Sequence, residues 1–307
     1  MRDRVPRGAA PLAVAALVAV TAVWGSSFAI SKDLLTRLPV TDYLALRFLL
    51  AALVVGALRP RVVLRADRRV VSYGVALGFV YFVGQFLQFV GLQHTAATVS
   101  AFIVSMYVVF TPLLFTVLSR SWPTARTVVA SLLATGGVAA LSLRGFELGG
   151  GELLTLLAAL LYAAHIVVLG RWTSPGTAYV LTVVQLLTMG VCFLAVAAPR
   201  GISLPAGGDW VRFLYLAIIV GGLTMLVQTW AQAHINAAHV ALLMVLEPVW
   251  AACFGMMFWA EHLEPRLLIG AGLVLLGLLI TATGRHATTR VFAGVGERIV
   301  APAAPTG

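Results

Sequence analysis

The sequence predicts an all-α polytopic membrane protein with ten transmembrane helices arranged as two inverted five-helix repeats. Three observations lead there. Residues Gln88 to Arg126 recur 140 positions later as Gln228 to Arg266 with no shift of register, which sets His94 against His234, Ala97 against Ala237 and Ala101 against Ala241, and farther on Gly137 against Gly277. Of the 307 residues 61% are hydrophobic and 10% charged, and the apolar runs reach the roughly 20 residues that a bilayer-crossing helix needs. The basic residues gather in alternate loops, which is how a membrane chain sets its orientation. A repeat holding an odd number of spans forces its second copy to enter from the opposite face.

The first span follows Arg2, Arg4 and Arg7. That basic start and the apolar Ala10 to Val23 also fit a secretory signal, but the apolar stretch continues through Trp24 to Ile30 and has the length of a full span. Polar breaks at Lys32 to Asp42, Arg59 to Arg69, Gln93 to Thr95 and Arg120 to Arg126 then separate helices one to five. A break at Arg144 to Glu152 divides the copies, and those at Arg171 to Gly176, Pro199 to Asp209, Gln232 to Asn236 and Glu261 to Arg266 separate helices six to ten. The expected organisation is a cytoplasmic segment over 1–9, a first repeat over 10–143, a second over 151–284 and a polar, disordered cytoplasmic tail over 285–307. With both ends inside, fourteen basic residues fall in cytoplasmic segments and six (Lys32, Arg37, Arg144, Arg200, Arg212 and Arg266) in outer loops, which favours a multi-pass protein of the cell membrane with cytoplasmic termini.

The net charge of +10 does not point to nucleic acid, because no basic stripe is interleaved with aromatics. Cys192 and Cys253 lie in apolar runs with no paired spacing, so neither a disulfide framework nor a metal site is expected. No nucleotide-binding fingerprint is present, and no cofactor or ATP drive is expected. The partners implied are the lipid bilayer and a small-molecule substrate, with protons as a candidate coupling ion and the oligomeric state open.

Glu247 is the one carboxylate deep in an apolar run, ten residues from one end and eleven from the other of Ala237 to Phe258. At about 1.5 Å per residue it falls near the bilayer midplane. An isolated charge there costs at least about 2.5 to 3.5 kcal/mol, so the group is paired, hydrated or protonated. Two readings stand for it: a proton site of a coupled carrier, or a protonated acid that hydrogen-bonds a neighbouring helix. Pro248 follows it, and an interior proline removes a backbone hydrogen bond and kinks the helix, although transmembrane helices also tolerate proline for packing reasons. The first copy has Tyr107-Val108 at the aligned positions, with Pro112 one turn later.

Arg47 in helix two either attracts an anionic group or pairs with Glu247, or else snorkels to the outer interface along its apolar stem. His165 in mid-helix six is either a proton relay or a packing histidine. Gln88 and Gln228 occupy equivalent places in helices three and eight, where a buried amide needs partners. Trp24-Gly25-Ser26-Ser27 aligns with Tyr162-Ala163-Ala164-His165, an aromatic followed by small residues that permit close helix approach. Trp24, Ser27, Tyr107, Tyr162 and Trp250 are candidates to line a cavity, though such aromatics also serve as packing or belt residues. Gly136, Gly137, Gly270, Gly272 and Gly277 suit close approach either to a partner copy or within the chain.

These motifs, in this order on a five-plus-five repeat, resemble the EamA-like ten-helix carriers of the drug/metabolite transporter superfamily over roughly Pro11 to Gly284. The residues that carry the resemblance are Trp24-Gly25-Ser26-Ser27-Phe28, Arg47-Phe48, Gly91-Leu92-Gln93-His94-Thr95 running into Ala101-Phe102-Ile103, Leu246-Glu247-Pro248 and Trp259-Ala260-Glu261-His262-Leu263. The resemblance implies that helices one to four and six to nine surround a central substrate cavity, with helices five and ten peripheral. Arg120-Ser121-Trp122-Pro123 lacks the acidic residue usual after helix four, which leaves Glu261 unmirrored and structural.

The leading expectation is a secondary carrier of the cytoplasmic membrane that exports small amphipathic metabolites, such as amino acids or toxic analogues, by alternating access. A flippase-like carrier of a lipid-linked intermediate and a non-transporting sensor or scaffold are the other readings. An intramembrane enzyme is disfavoured: Ser26 and Ser27 lack a nucleophile elbow, and His94, His165 and His234 are not at ligand spacing.

Overall fold

The computed structural model describes residues 9–118, 122–144, 147–232, 234, 243–259 and 265–282. The expectations placed on Arg2, Arg4, Arg7, Arg120, Ala237, Ala241, Glu261, His262, Arg285, Arg290, Arg298 and the tail lie outside these residues.

The first half consists of α1 (Ala9–Leu34), α2 (Val40–Leu58), a short α3 (Pro60–Leu64), α4 (Arg68–His94), α5 (Ala97–Val104), α6 (Tyr107–Leu118) and α7 (Ala125–Ser142). The second half follows as α8 (Gly150–Trp172), α9 (Ala178–Ala197), α10 (Asp209–Leu214), a π-helical segment over Tyr215–Leu223, α11 (Thr224–Gln232), α12 (Leu246–Trp259) and α13 (Pro265–Ala282). The chain is a multi-pass membrane protein. Among the described residues seven helical stretches are long and apolar enough to cross a bilayer, and shorter apolar helices span Ala125–Ala140, Leu246–Phe258 and Leu267–Ile280. Large apolar side chains that face outward, such as Leu53, Leu132, Phe258 and Ile269, are exposed because lipid rather than protein is their natural neighbour.

Local chemistry explains several boundaries. Asp67 caps α4 by accepting the Arg69 N–H at 2.7 Å, which satisfies one of the free donors of a helix start. Between the halves the chain turns through a two-residue antiparallel ladder, β1 (Leu143–Arg144) against β2 (Glu147–Leu148), a small departure from the all-helical expectation.

Two discontinuities are absent from the sequence reading. Helix four is one apolar run between Thr95 and Arg120, yet the structure breaks it at Ser105 and Met106 into α5 and α6. There the Met106 and Val108 N–H groups reach back three residues, to Ile103 O and Ser105 O, at 3.1 and 3.0 Å, tightening the helix into a turn. Val245, the counterpart of Ser105 in the repeat, is likewise a turn, between helical Met244 and α12. The expectation for Pro248 is corrected accordingly. It is the third residue of α12, in a first turn whose N–H groups lack helical acceptors, so it starts a helix rather than kinking one. The break recurs in the first copy, where Val108 stands in the place of Pro248, so proline is not its cause.

The helices pack through repeated contacts. A Cβ on Gly137 of α7 would lie 2.6 Å from Gly270 O and 2.7 Å from Val274 N, and one on Gly277 of α13 would lie 2.7 Å from Ala130 O and 2.9 Å from Ala134 N. Each contact is the other shifted by 140 residues. Gly137, Gly270 and Gly277 therefore serve packing within the chain, while Gly136 and Gly272 have open space beside them. Gly91 of α4 meets Gly151 O of α8 at 2.6 Å from an ideal Cβ, and their counterparts in the repeat, Ala231 of α11 and Ala13 of α1, are both fully buried.

At the loop end of α1, Arg37 bridges Asp33 and Asp209, both at 2.7 Å, and Arg212 pairs with Asp33. Hydrogen bonds from its own guanidinium to Asp33 and Asp209 raise Arg37 above the usual arginine range. These pairs are solvent-exposed, so they hold α1 to α10 by geometry more than by energy.

Candidate functional site

A cavity of about 80 Å³ lies inside the helix bundle. Trp24, Ser27 and Phe28 reach it from α1, Arg47 and Phe48 from α2, and Tyr81, Gln85, Gln88 and Phe89 from α4. Tyr107 enters from the start of α6, Tyr162, His165 and Ile166 from α8, Val220 and Gly221 from the π segment, Met225 and Gln228 from α11, and Glu247 from α12. Every site candidate from the sequence borders this space except Pro248 and Trp250.

The two copies meet in its wall. The Tyr107 hydroxyl donates to Glu247 Oε2 at 2.9 Å, and both side chains are buried. The two residues are 140 apart, so equivalent positions touch. Both stand at the start of a helix that follows a break, and Glu247 lies in the first turn of α12. Free N–H groups and the positive end of the helix dipole favour a carboxylate there.

A second network lies on the first copy's side. Gln85 Nε2 donates to the Tyr162 hydroxyl at 2.8 Å, and that hydroxyl donates to Gln88 Oε1 at 2.6 Å. Tyr162 also fills the space that Gly84 leaves open, where a Cβ would come within 2.7 Å of its ring. In the other copy Trp24 takes the place of Tyr162 and donates its indole N–H to Thr224 Oγ1, the counterpart of Gly84, at 2.7 Å. His165 Nε2 shares a 2.6 Å hydrogen bond with Gln185 Oε1, and its ring stacks on Tyr81 at 4.6 Å. It is thus a histidine with a satisfied nitrogen that still faces the cavity.

Arg47 does not snorkel. It is only 5% exposed, and its guanidinium donates to the Tyr43 hydroxyl at 3.1 Å. The rings of Tyr43, Phe48 and Phe89 surround it, with centroids 5.4 to 5.7 Å away, a cation–π arrangement. The alternative pairing with Glu247 is not made either: the Arg47 guanidinium reaches the Tyr43 hydroxyl, and Glu247 accepts from Tyr107.

Of the two readings of Trp250, the packing one holds. It packs beside Gly25, on which a Cβ would lie 2.5 Å from Trp250 Cβ, and it does not border the cavity. Sequence reasoning missed Tyr81, Gln85, Phe89 and Gly221 as lining residues. Gln85 carried a usable signal, since it lies three residues before Gln88 and so on the same helix face. The π segment is a known mark of functional helices, and it brings Gly221 beside Arg47. Among the described residues no His, Cys, Asp or Glu cluster has the makings of a metal site, and Cys192 and Cys253 are unpaired.

Comparison with known proteins follows the same division of the chain. The model of the EamA-like transporter family matches residues 11–143 and again 149–283. An uncharacterized transporter of Archaeoglobus fulgidus is 26% identical over 272 residues, which cover 87% of this chain and 84% of that protein. One crystal structure superposes with a TM-score of 0.66 at 18% identity, covering 90% of this chain and 96% of the other, a likeness of fold alone.

Proposed function

Since this chain belongs to the EamA-like transporter family, we propose that it is a secondary carrier of the cytoplasmic membrane that exports small amphipathic metabolites, amino acids or their toxic analogues, by alternating access. Its scaffold in this reading is ten spans in two inverted copies, with both termini in the cytoplasm. The seven long apolar helices and the three shorter ones fall at the ten expected places, which supports that count. The packing supports a two-fold relation between the copies. The contact of α1 with α12 has its partner in that of α8 with α5 and α6, and the contact of α4 with α8 has its partner in that of α1 with α11. The helices α7 and α13 pair with each other, as do α2 and α9, as elements beside a two-fold axis would.

The observation that carries the functional reading is the Tyr107 to Glu247 hydrogen bond in the wall of the cavity. Equivalent residues from opposite copies meet at the substrate space, so tilting one bundle against the other opens that space to one side of the membrane or the other. The chemistry there is asymmetric. One copy supplies a phenol and the other an acid that can take up and release a proton, and proton coupling is assigned to Glu247 on that ground. Deleting the gene and comparing internal with external metabolite pools tests the reading. At least one small amphipathic compound should accumulate inside the cells and fall outside them, and unchanged pools across amino acids and their analogues would contradict export.

A further inference from the structure

We infer that Arg47 is a carboxylate-binding residue, and that the compounds this carrier holds have a carboxylate at one end of a small apolar body. The inference rests on the reading of the cavity as a substrate site. It starts from an unsatisfied group. Arg47 Nε is buried with no hydrogen-bond partner, on a side chain that borders the cavity and is only 5% exposed. Among the described residues the Tyr43 hydroxyl alone accepts from this guanidinium, and its aromatic neighbours offer ring faces rather than an anion.

A buried cation without a counter-charge is costly, and Glu247, the acid that borders the same cavity, is engaged by Tyr107 instead. A ligand carboxylate removes that cost. Guanidinium and carboxylate match in a planar, two-bond geometry, and Nε with a neighbouring Nη forms one edge of that fork. Only a glycine stands against Nε from the neighbouring helix: the π segment sets Gly221 next to it, and a Cβ there would lie 3.5 Å from Nε. A side chain larger than glycine would stand in van der Waals contact with the donor. The aromatic wall of Trp24, Phe28 and Tyr81 suits an apolar body, and Glu247 offers an opposite charge within the same cavity for an ammonium where the ligand has one.

The test is calorimetric binding to the purified full-length protein in detergent, with three acid and amide pairs: alanine, leucine and phenylalanine against their carboxamides. The acid of at least one pair should bind, and its amide should bind roughly 10- to 100-fold more weakly, the scale of a hydrogen bond to a charged group. Arg47→Gln should erase that discrimination, and Arg47→Lys should restore part of it as a point charge without the fork. Gly221→Ala keeps the charge and adds one methyl in contact with Nε, so it should crowd a ligand carboxylate at that donor and weaken the acid more than the amide even if Arg47→Gln fails to fold. Equal binding of acid and amide by the native protein, discrimination that survives in Arg47→Gln or is undiminished in Gly221→Ala, or no binding of any acid would overturn the inference. Liposome counterflow of the same compounds separates the two readings. Discriminating binding without counterflow leaves the carboxylate site standing while transport fails, whereas counterflow of acid and amide at equal rates removes the carboxylate site and keeps transport.

Discussion

Glu247→Gln is expected to flatten the pH profile of counterflow in proteoliposomes and to slow it roughly 10- to 100-fold, the scale set by losing one charge-assisted contact at the site. Glutamine keeps the shape of the side chain and an oxygen that can accept the Tyr107 hydroxyl, so the fold is preserved while the titrating group is gone. Tyr107→Phe is the companion variant. It removes the hydroxyl and leaves the acid, so transport should weaken while its pH dependence persists. A Glu247→Gln protein that is as fast as the native one and equally pH-dependent would remove proton coupling through this residue. The argument depends on position as much as on chemistry, since a carboxylate in a bilayer interior must be paired, hydrated or protonated. Here it borders a cavity, accepts one neutral hydroxyl and sits at a helix start.

Gly25→Val is expected to be the most damaging packing change. A Cβ at Gly25 would lie 2.5 Å from Trp250 Cβ, 2.8 Å from Ala251 N and 3.0 Å from Glu247 O, so two of the three nearest neighbours are backbone atoms that cannot turn aside. Overpacking of this kind costs about 1 to 3 kcal/mol, and a Tm lower by roughly 3 to 10 °C is the expected size. The site should suffer too, because α1 would be pushed off α12 beside the acid. Gly136→Val is the control, with nothing within 4 Å of its Cβ position, and should leave Tm nearly unchanged. Equal melting of the two variants would show that the α1 to α12 contact is looser than described.

Much of this was legible in the sequence, for identifiable reasons. Hydropathy finds spans because unsatisfied backbone is not tolerated in lipid, and the register of 140 residues foretold which residues would be equivalent. It did not foretell that Tyr107 and Glu247 would touch, which depends on how the helices of the two copies pack against each other. Arg47 was ambiguous because a long stem permits either snorkelling or burial, and only the aromatic shell of Tyr43, Phe48 and Phe89 decides between them. The breaks at Ser105 and Val245 were hidden because the residues around them are as apolar as a continuous helix would need. Pro248 drew attention to the right place for the wrong reason, as it begins a helix that the repeat already interrupts. The π segment left only Gly221-Gly222 as a trace, and Trp250 stayed open between cavity and packing because an aromatic in mid-span reads the same whether it faces a cavity or a glycine on a neighbouring helix.

The central claim is that equivalent residues of the two copies border one site that opens alternately to each face of the membrane. Gln88→Cys and Gln228→Cys, each made in a Cys192→Ser, Cys253→Ser background, test it through labelling by a membrane-impermeant thiol reagent applied to one face at a time. The account predicts that each cysteine is labelled from either face, because both border the same space. Labelling of either cysteine from one face only, in sealed vesicles of both orientations, would contradict it.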